Sequence, residues 1–332
     1  MSFEKQDVER KVLAILKVLS SSPEAMGSRI IAERLKDFGI ELSERGVRYH
    51  LRLMDERGLT HPTGRDGRLI TATGLQELKD ALVKDKVGMA ISRIEALSFR
   101  TNFDLSTYSG EIPANVSYIP ERVFSKAVKV MKPIFAAGLC VSDLVAVARE
   151  GELLGGMAVP PGKIGFVTVC SIIVNGSLLK AGVPMESRFG GLLQIHKNKP
   201  FRFVELIHYA GCSLDPSEMF IKAKMTSVSH VASGGNGRIL ANFREIPAVC
   251  HSLVNEIITK LQGAGLGGVL LMGEISEPVC EVPVELNRIG MILIGGLNPV
   301  AAVEEAGIEV ENHANSILID YSRLKKFGEI AQ

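Results

Sequence analysis

Two clusters of residues in this sequence have the types and spacing to bind anions. Arg45, Arg48, Tyr49 and Arg52 lie within a helical pattern over residues 43–57. At 100° per residue they share a sector whose centre lies more than a quarter turn from that of Val47, Leu51 and Met54. Such a helix packs by its apolar face and offers its basic face to phosphates or base edges. The second cluster is Thr168, Cys170, Ser171 and Asn175, placed where an apolar run passes into a helical pattern, with Arg188 following in Ser187-Arg188-Phe189-Gly190-Gly191. A strand-to-helix turn leaves backbone N–H groups unpaired, and a guanidinium beside them suits a small dianion. Both clusters also admit plain readings. Exposed arginines can be a solvated face, Cys170 and Ser171 can be packing and capping residues, and Arg188 can be a surface ion pair.

Familiar catalytic patterns are absent. Gly263-Ala264-Gly265-Leu266-Gly267-Gly268 satisfies Gly-x-Gly-x-x-Gly, but the glycines close a helical pattern and precede a strand. A dinucleotide site needs the opposite polarity, with the helix N-terminus meeting the pyrophosphate. The chain holds no P-loop, Gly-x-Ser-x-Gly or His-Glu-x-x-His, and no cofactor or metal is expected.

The basic helix needs a scaffold, and the flanking residues provide one. Val8, Val12, Ile15, Leu16 and Leu19 recur at helical spacing before Ser20-Ser21-Ser22-Pro23. A second helix fits residues 28–38 with Gly39 beyond its end, and Ser43 caps the third. Residues 59–70 read as two short strands around Gly64-Arg65-Asp66-Gly67, and Thr73 with Gln76 reads as a capping box for a further helix. Three helices and a basic-tipped hairpin form the winged helix-turn-helix plan. Its third helix enters the major groove of double-stranded DNA, and Arg65 and Arg68 on the wing reach the backbone or the minor groove.

The rest of the chain says one thing twice. Residues 110–139 and 237–266 share ten of thirty positions without a gap, including Asn115 with Asn242 and Ala137-Gly138-Leu139 with Ala264-Gly265-Leu266. At an offset of 125 the echo resumes, pairing Ile164-Gly165 with Ile289-Gly290, Ala181-Gly182 with Ala306-Gly307, and Glu186 with Glu311. Each copy reads β-α-β-β-α-β, so the expected fold class is α+β: a winged helix followed by two tandem ferredoxin-like repeats. The expected boundaries are a winged-helix domain at 1–84, a connecting helix at 85–105, repeat 1 at 106–232 with an insertion at 197–232, and repeat 2 at 233–332. Residues 229–237 read as the interdomain linker. In the second copy the strand-to-helix turn is Ile294-Gly295-Gly296-Leu297-Asn298-Pro299, and His313 stands where the first copy has Arg188.

With 38 basic and 37 acidic residues, any nucleic-acid contact must come from a local patch. The longest apolar runs fall far short of a membrane span, so no membrane partner is expected. Five cysteines without a Cys-x-x-Cys pair are expected as free thiols, in a soluble cytoplasmic protein.

The head, Arg93-Ile94-Glu95-Ala96-Leu97 leading to Thr101-Asn102-Phe103-Asp104, Thr168-Val169-Cys170-Ser171, Asn175-Gly176, Lys180-Ala181-Gly182-Val183-Pro184, Arg188-Phe189-Gly190-Gly191 and Ser213-Leu214-Asp215-Pro216, in that order, resemble the archaeal NrpR family of nitrogen-responsive transcriptional repressors. The resemblance covers nearly the whole chain. It implies a homodimer or higher homo-oligomer that represses nitrogen-fixation and nitrogen-assimilation operons and leaves its operator when 2-oxoglutarate binds as effector. Two other readings stay open: a regulator answering to an amino acid, and a metabolic enzyme whose head regulates its own operon.

Overall fold

The N-terminal helices are α1 (Phe3–Ser20), α2 (Ser28–Leu35) and α3 (Glu44–Glu56); they are followed by a hairpin, β1 (Thr60–Pro62) and β2 (Arg68–Ile70), and by α4 (Ala72–Lys79). The computed structural model describes residues 3–20, 22, 24–36, 40–64, 67–80, 88–155 and 157–330, so Gly39 and Arg65 lie outside the described residues. Val12, Ile15, Leu16, Leu19, Ile31, Leu35, Val47, Leu51 and Met54 make one buried cluster, in which each helix contributes one stripe. Ser43 caps α3 by accepting from the Gly46 amide. For α4 the cap is Thr71, not Thr73: its hydroxyl accepts from Gly74 N and donates to Gly58 O. Met26 exchanges two backbone hydrogen bonds with Arg68, an isolated antiparallel bridge on the edge of the wing. Gly67 permits that approach, because a Cβ there would lie 2.2 Å from Met26 O. This is the winged-helix plan.

The chain divides into two units, Met1–Lys86 and Val87–Gln332. The second opens with α5 (Met89–Arg100). Its Ile94 and Leu97 are buried with Cys170, Ile172 and Tyr209, so this helix is packed into the body and not merely a connector. The first repeat contains β3 (Glu111–Pro120), α6 (Phe124–Ala136), β4 (Leu144–Ala148), a small hairpin of β5 (Leu153–Leu154) and β6 (Met157–Ala158), β7 (Lys163–Val169), α7 (Ile172–Lys180) and β8 (Glu186–His196). The insertion adds β9 (Lys199–His208), α8 (Pro216–Lys222) and α9 (Val228–Ala232). The second repeat contains β10 (Gly237–Pro247), α10 (His251–Gly263), β11 (Val269–Ile275), β12 (Arg288–Ile294), α11 (Asn298–Glu305) and β13 (Glu311–Asp320), and the chain closes with β14 (Lys325–Lys326) and α12 (Phe327–Ile330). Pro120 and Pro247 end their strands and lead into the helices through one turn of 3-10 helix, rather than standing at the first helical position.

The order of elements recurs, but the sheets do not follow the repeats. One sheet runs β13-β3-β7-β4-β14 and the other β11-β12-β10-β8-β9, with every neighbouring pair antiparallel. Within each, the strands of a repeat stand in the order fourth, first, third, second. The fourth strand comes from the other copy: β13 completes the sheet of β3, and β8 completes that of β10. Two self-contained tandem repeats would keep their own fourth strands. β8 and β13 are equivalent strands of the two copies, and their exchange merges both repeats into one hydrophobic core. The region 229–237 is correspondingly no interdomain linker. It holds most of α9 and a turn, and Gly237 already pairs with Ile195.

β3 and β10 are central strands with both faces covered, and residues 112–119 and 239–246 are buried throughout. That burial explains their nearly unbroken apolar reading. It also makes their polar members, Asn115, Ser117, Asn242, Arg244 and Glu245, the residues that need explaining.

Candidate functional site

On α3, Val47, His50, Leu51 and Met54 are buried, while Arg45, Arg48, Tyr49 and Arg52 are exposed. Arg48 lies 3.5 Å from Glu44 in a solvated pair that holds it only weakly. Arg68 behaves differently. Its Nε donates to Asp55 at 2.8 Å, and Asp55 also accepts from Thr60, so this arginine fastens the wing to the end of α3.

In the body, the exchange of strands brings the two strand-to-helix turns to one place. Cys170 and Ser171, entering α7, face Gly296 and Leu297, entering α11, across a polar cavity. Gly296 makes the meeting possible, since a Cβ there would lie 2.4 Å from Val169 O and 2.7 Å from Asn115 Nδ2. Asn298 pins the second turn by exchanging hydrogen bonds with both backbone groups of Leu240. Two helix N-termini thus turn toward the same space, where aligned peptide dipoles favour negative charge.

The cavity also contains a cation. Arg244, on β10, is 1% exposed. Its guanidinium stands 5.0 Å from the centroid of the Tyr209 ring and donates to Phe243 O at 3.3 Å, while Nε has no hydrogen-bond partner. No carboxylate among the described residues forms an ion pair with it. An arginine stays charged, and burying a charge without a partner costs several kcal/mol. Such an arrangement is the complement of an anion. Around it the polar groups are linked: Asn242 accepts from the Tyr209 hydroxyl and donates to Ser171 Oγ at 3.2 Å, and Asn115 donates to Thr168 Oγ1 at 3.2 Å. Burial pushes both the Cys170 thiol and the Tyr209 phenol up to about 12, so each stays a neutral donor. Asp215 lies on the same wall as the cap of α8. Burial raises its carboxyl above the ordinary range, against hydrogen bonds from Ser217 that lower it.

The inner cavity has a volume of about 20 Å³, room for one water molecule. An outer chamber of about 530 Å³ shares Asp215, Ala314 and Asn315 with it and is lined by Arg93, Arg100, Glu218 and His313.

Of the ligand residues suggested by sequence, Cys170 and Ser171 line the inner cavity and Thr168 supports it through Asn115. Asn175 lies within α7 and donates to Ser187 Oγ at 3.0 Å. Arg188 is elsewhere. It lies 2.6 Å from Glu285, 3.2 Å from Glu186 and 3.8 Å from the fully buried Glu245. Those three carboxylates each place an oxygen within 4.8 Å of the others, but Arg188 and Arg288 already pair with all three. It is an ion-pair cluster. The residue that sequence reasoning missed is Arg244. Its signal was present at the offset of 127, where Ser117-Tyr118 of one copy becomes Arg244-Glu245 inside an apolar strand.

No helix among the described residues is long and apolar enough to cross a membrane. Residues 87–326 match the family described as NrpR regulatory domains NRD1 and 2, and residues 13–78 match the Ribonuclease R winged-helix domain. The chain is 41% identical over 319 residues to the global nitrogen regulator NrpRI of Methanosarcina mazei, covering 96% of this chain and 98% of that one. It is 32% identical to the global nitrogen regulator NrpR of Methanococcus maripaludis and 31% to that of Methanocaldococcus jannaschii. Those alignments cover 94% and 96% of this chain but 54% and 55% of the relatives, so it spans about half their length. A crystal structure of a nitrogen repressor-like protein from Methanococcus jannaschii superposes with a TM-score of 0.62 at 25% identity, over 73% of this chain and 99% of that one. With both units matched and the likeness running nearly from end to end, the chain belongs to the NrpR family of global nitrogen regulators, and it is a regulator and not an enzyme.

Proposed function

We propose that this chain is a cytoplasmic, DNA-binding repressor of nitrogen-assimilation and nitrogen-fixation operons that 2-oxoglutarate releases from its operator. We read the body as a pair of ferredoxin-like repeats with exchanged fourth strands, and the active species as a homodimer or higher homo-oligomer. The observation that carries the effector reading is the buried guanidinium of Arg244, with Nε unsatisfied and no ion-paired carboxylate among the described residues, set where two helix N-termini converge. One carboxylate of the effector meets Arg244 and the turn amides, and the other lies toward Arg93 and Arg100 in the outer chamber. An inner cavity the size of one water cannot hold a dicarboxylate as it stands. Binding therefore selects a more open body, and the effector's preference for that form is what can drive release. In the N-terminal unit, exposed Arg45, Arg48, Tyr49 and Arg52 supply contacts to operator phosphates and bases.

A second reading has an observation of its own. Asp215 lines the cavity that holds Arg244, and a carboxylate opposite a guanidinium fits the two charges of an amino acid. Fluorescence anisotropy on a palindromic operator decides between them. Affinity falls on adding 2-oxoglutarate if the first is right and on adding glutamate or glutamine if the second is, and constancy with all three refutes both.

A further inference from the structure

We infer that Asn315 makes the cavity selective for a 2-oxo acid over the 2-amino acid of the same carbon skeleton, an inference that rests on the effector reading above. The two ligands differ at one carbon. A ketone oxygen only accepts hydrogen bonds, whereas an ammonium only donates them and brings a positive charge. Both carry the carboxylate that Arg244 would hold, so that contact alone cannot tell them apart. What separates them is the supply of free acceptors in the wall.

Each of those acceptors already carries one hydrogen bond. Asn115 Oδ1 accepts from the Asn315 amide at 3.0 Å, Asn242 Oδ1 from the Tyr209 hydroxyl, and Asn315 Oδ1 from the Cys170 thiol at 2.8 Å. Asp215 is the carboxylate of the inner cavity. Its Oδ1 accepts from Ser217 N at 2.8 Å, and its Oδ2 accepts from Asn315 Nδ2 at 2.7 Å. Donors, by contrast, remain open, since Arg244 Nε has no partner. An incoming ammonium would have to displace a neutral amide from a buried acid, while a ketone meets donors that need an acceptor.

The backbone places Asn315 for this task. It sits on the irregular segment of β13 where the register with β3 breaks between His313 and Ile317, and its φ of 51° is left-handed. Asparagine tolerates that conformation better than most residues and has the amide donor the position uses. Covering Asp215 therefore weakens the hold of the inner cavity's carboxylate on a zwitterion.

Calorimetry on the full chain with 2-oxoglutarate and glutamate tests this. The wild type should bind 2-oxoglutarate, with glutamate weaker by about a hundredfold or more, as for sites that discriminate by polar pairing. Asn315→Gly keeps the left-handed backbone and removes the amide; glutamate should tighten by about tenfold, equivalent to 1.4 kcal/mol. Adding Asp215→Asn retains the cap on α8 but removes the charge, and the gain should disappear. Asn315→Ala gives the same reading if the glycine variant does not fold. An unchanged ratio in a variant that still binds 2-oxoglutarate overturns this inference alone, as does a gain that persists without the Asp215 charge. A wild type that binds neither ligand overturns the effector reading and this inference together.

Discussion

Replacing Arg244 with Met should make the empty protein more stable while removing its response to the effector. A structural arginine would give the opposite sign. Arg244 is almost wholly buried, has no carboxylate partner among the described residues and leaves Nε unsatisfied. Methionine matches its length and fills irregular space without a charge. Exchanging even a paired buried charge for a hydrophobic isostere is neutral or stabilising by about 1–4 kcal/mol. The contact with the Tyr209 ring offsets part of that, by about 1–2 kcal/mol. At the middle of those ranges a net gain of about 1 kcal/mol remains, which for a unit of this size raises the melting temperature by roughly 2–4 °C. Binding moves the other way. Charge-assisted hydrogen bonds from a guanidinium to a carboxylate contribute about 1.5–3 kcal/mol each, so losing two weakens 2-oxoglutarate by about a hundredfold or more. Melting curves with and without 2-oxoglutarate read both quantities at once, because a ligand of the folded form raises the midpoint by mass action. The reasoning would be refuted if the variant melted several degrees below the wild type, or if 2-oxoglutarate protected it as well as the parent.

Arg48→Ala and Arg52→Ala should each weaken operator binding in anisotropy titrations, by about 1–3 kcal/mol for a residue that reads a base, or with a salt slope shallower by about 1 for one that meets a phosphate. Gly296→Ala should lower stability by about 1–3 kcal/mol and also weaken the effector, because its Cβ would press on Val169 O and Asn115, at 2.4 and 2.7 Å; unaltered melting would show that the turns do not need their close approach. Burial holds the Glu245 carboxyl above its usual range, partly offset by Arg188. A raised acid favours the fold below its folded pKa and loses that contribution as pH rises through it, so Glu245→Gln should gain on the wild type near neutrality and lose the advantage toward pH 4 in denaturant melts. Residues 87–236 and 237–332 made as separate chains should each fail to fold, whereas making them together should restore a cooperative transition by circular dichroism.

Much of the fold was legible because it rests on local signals. Ser43, the apolar stripe of Val47, Leu51 and Met54, and the duplicated glycines each act over a few residues, and periodicity records such effects. The exchanged strands were not legible. β8 and β13 carry similar patterns, and nothing in a one-dimensional alternation says which edge a strand will join. The site divides along the same line. Cys170 and Ser171 stand out as a strand-to-helix turn, whereas their approach to Gly296 depends on the exchange. Arg188 attracted attention because it lies beside a recognisable motif, yet three nearby carboxylates occupy it. Arg244 has no recognisable motif beside it, and only its complete burial gives it meaning.

The crossing of β8 and β13 also has a consequence during synthesis. Asn115 on β3 and Asn315 on β13 pair across 200 residues, which a ribosome covers in about 10–40 s. For that interval the edge of β3 is open, and β8, made before β13, carries the pattern to close it. The nascent first repeat can thus sample a self-closed sheet that must reopen when β13 emerges. The same geometry suggests an origin: two copies of a single ancestral module trading their last strands would have formed this body as a dimer, which a later gene fusion made permanent.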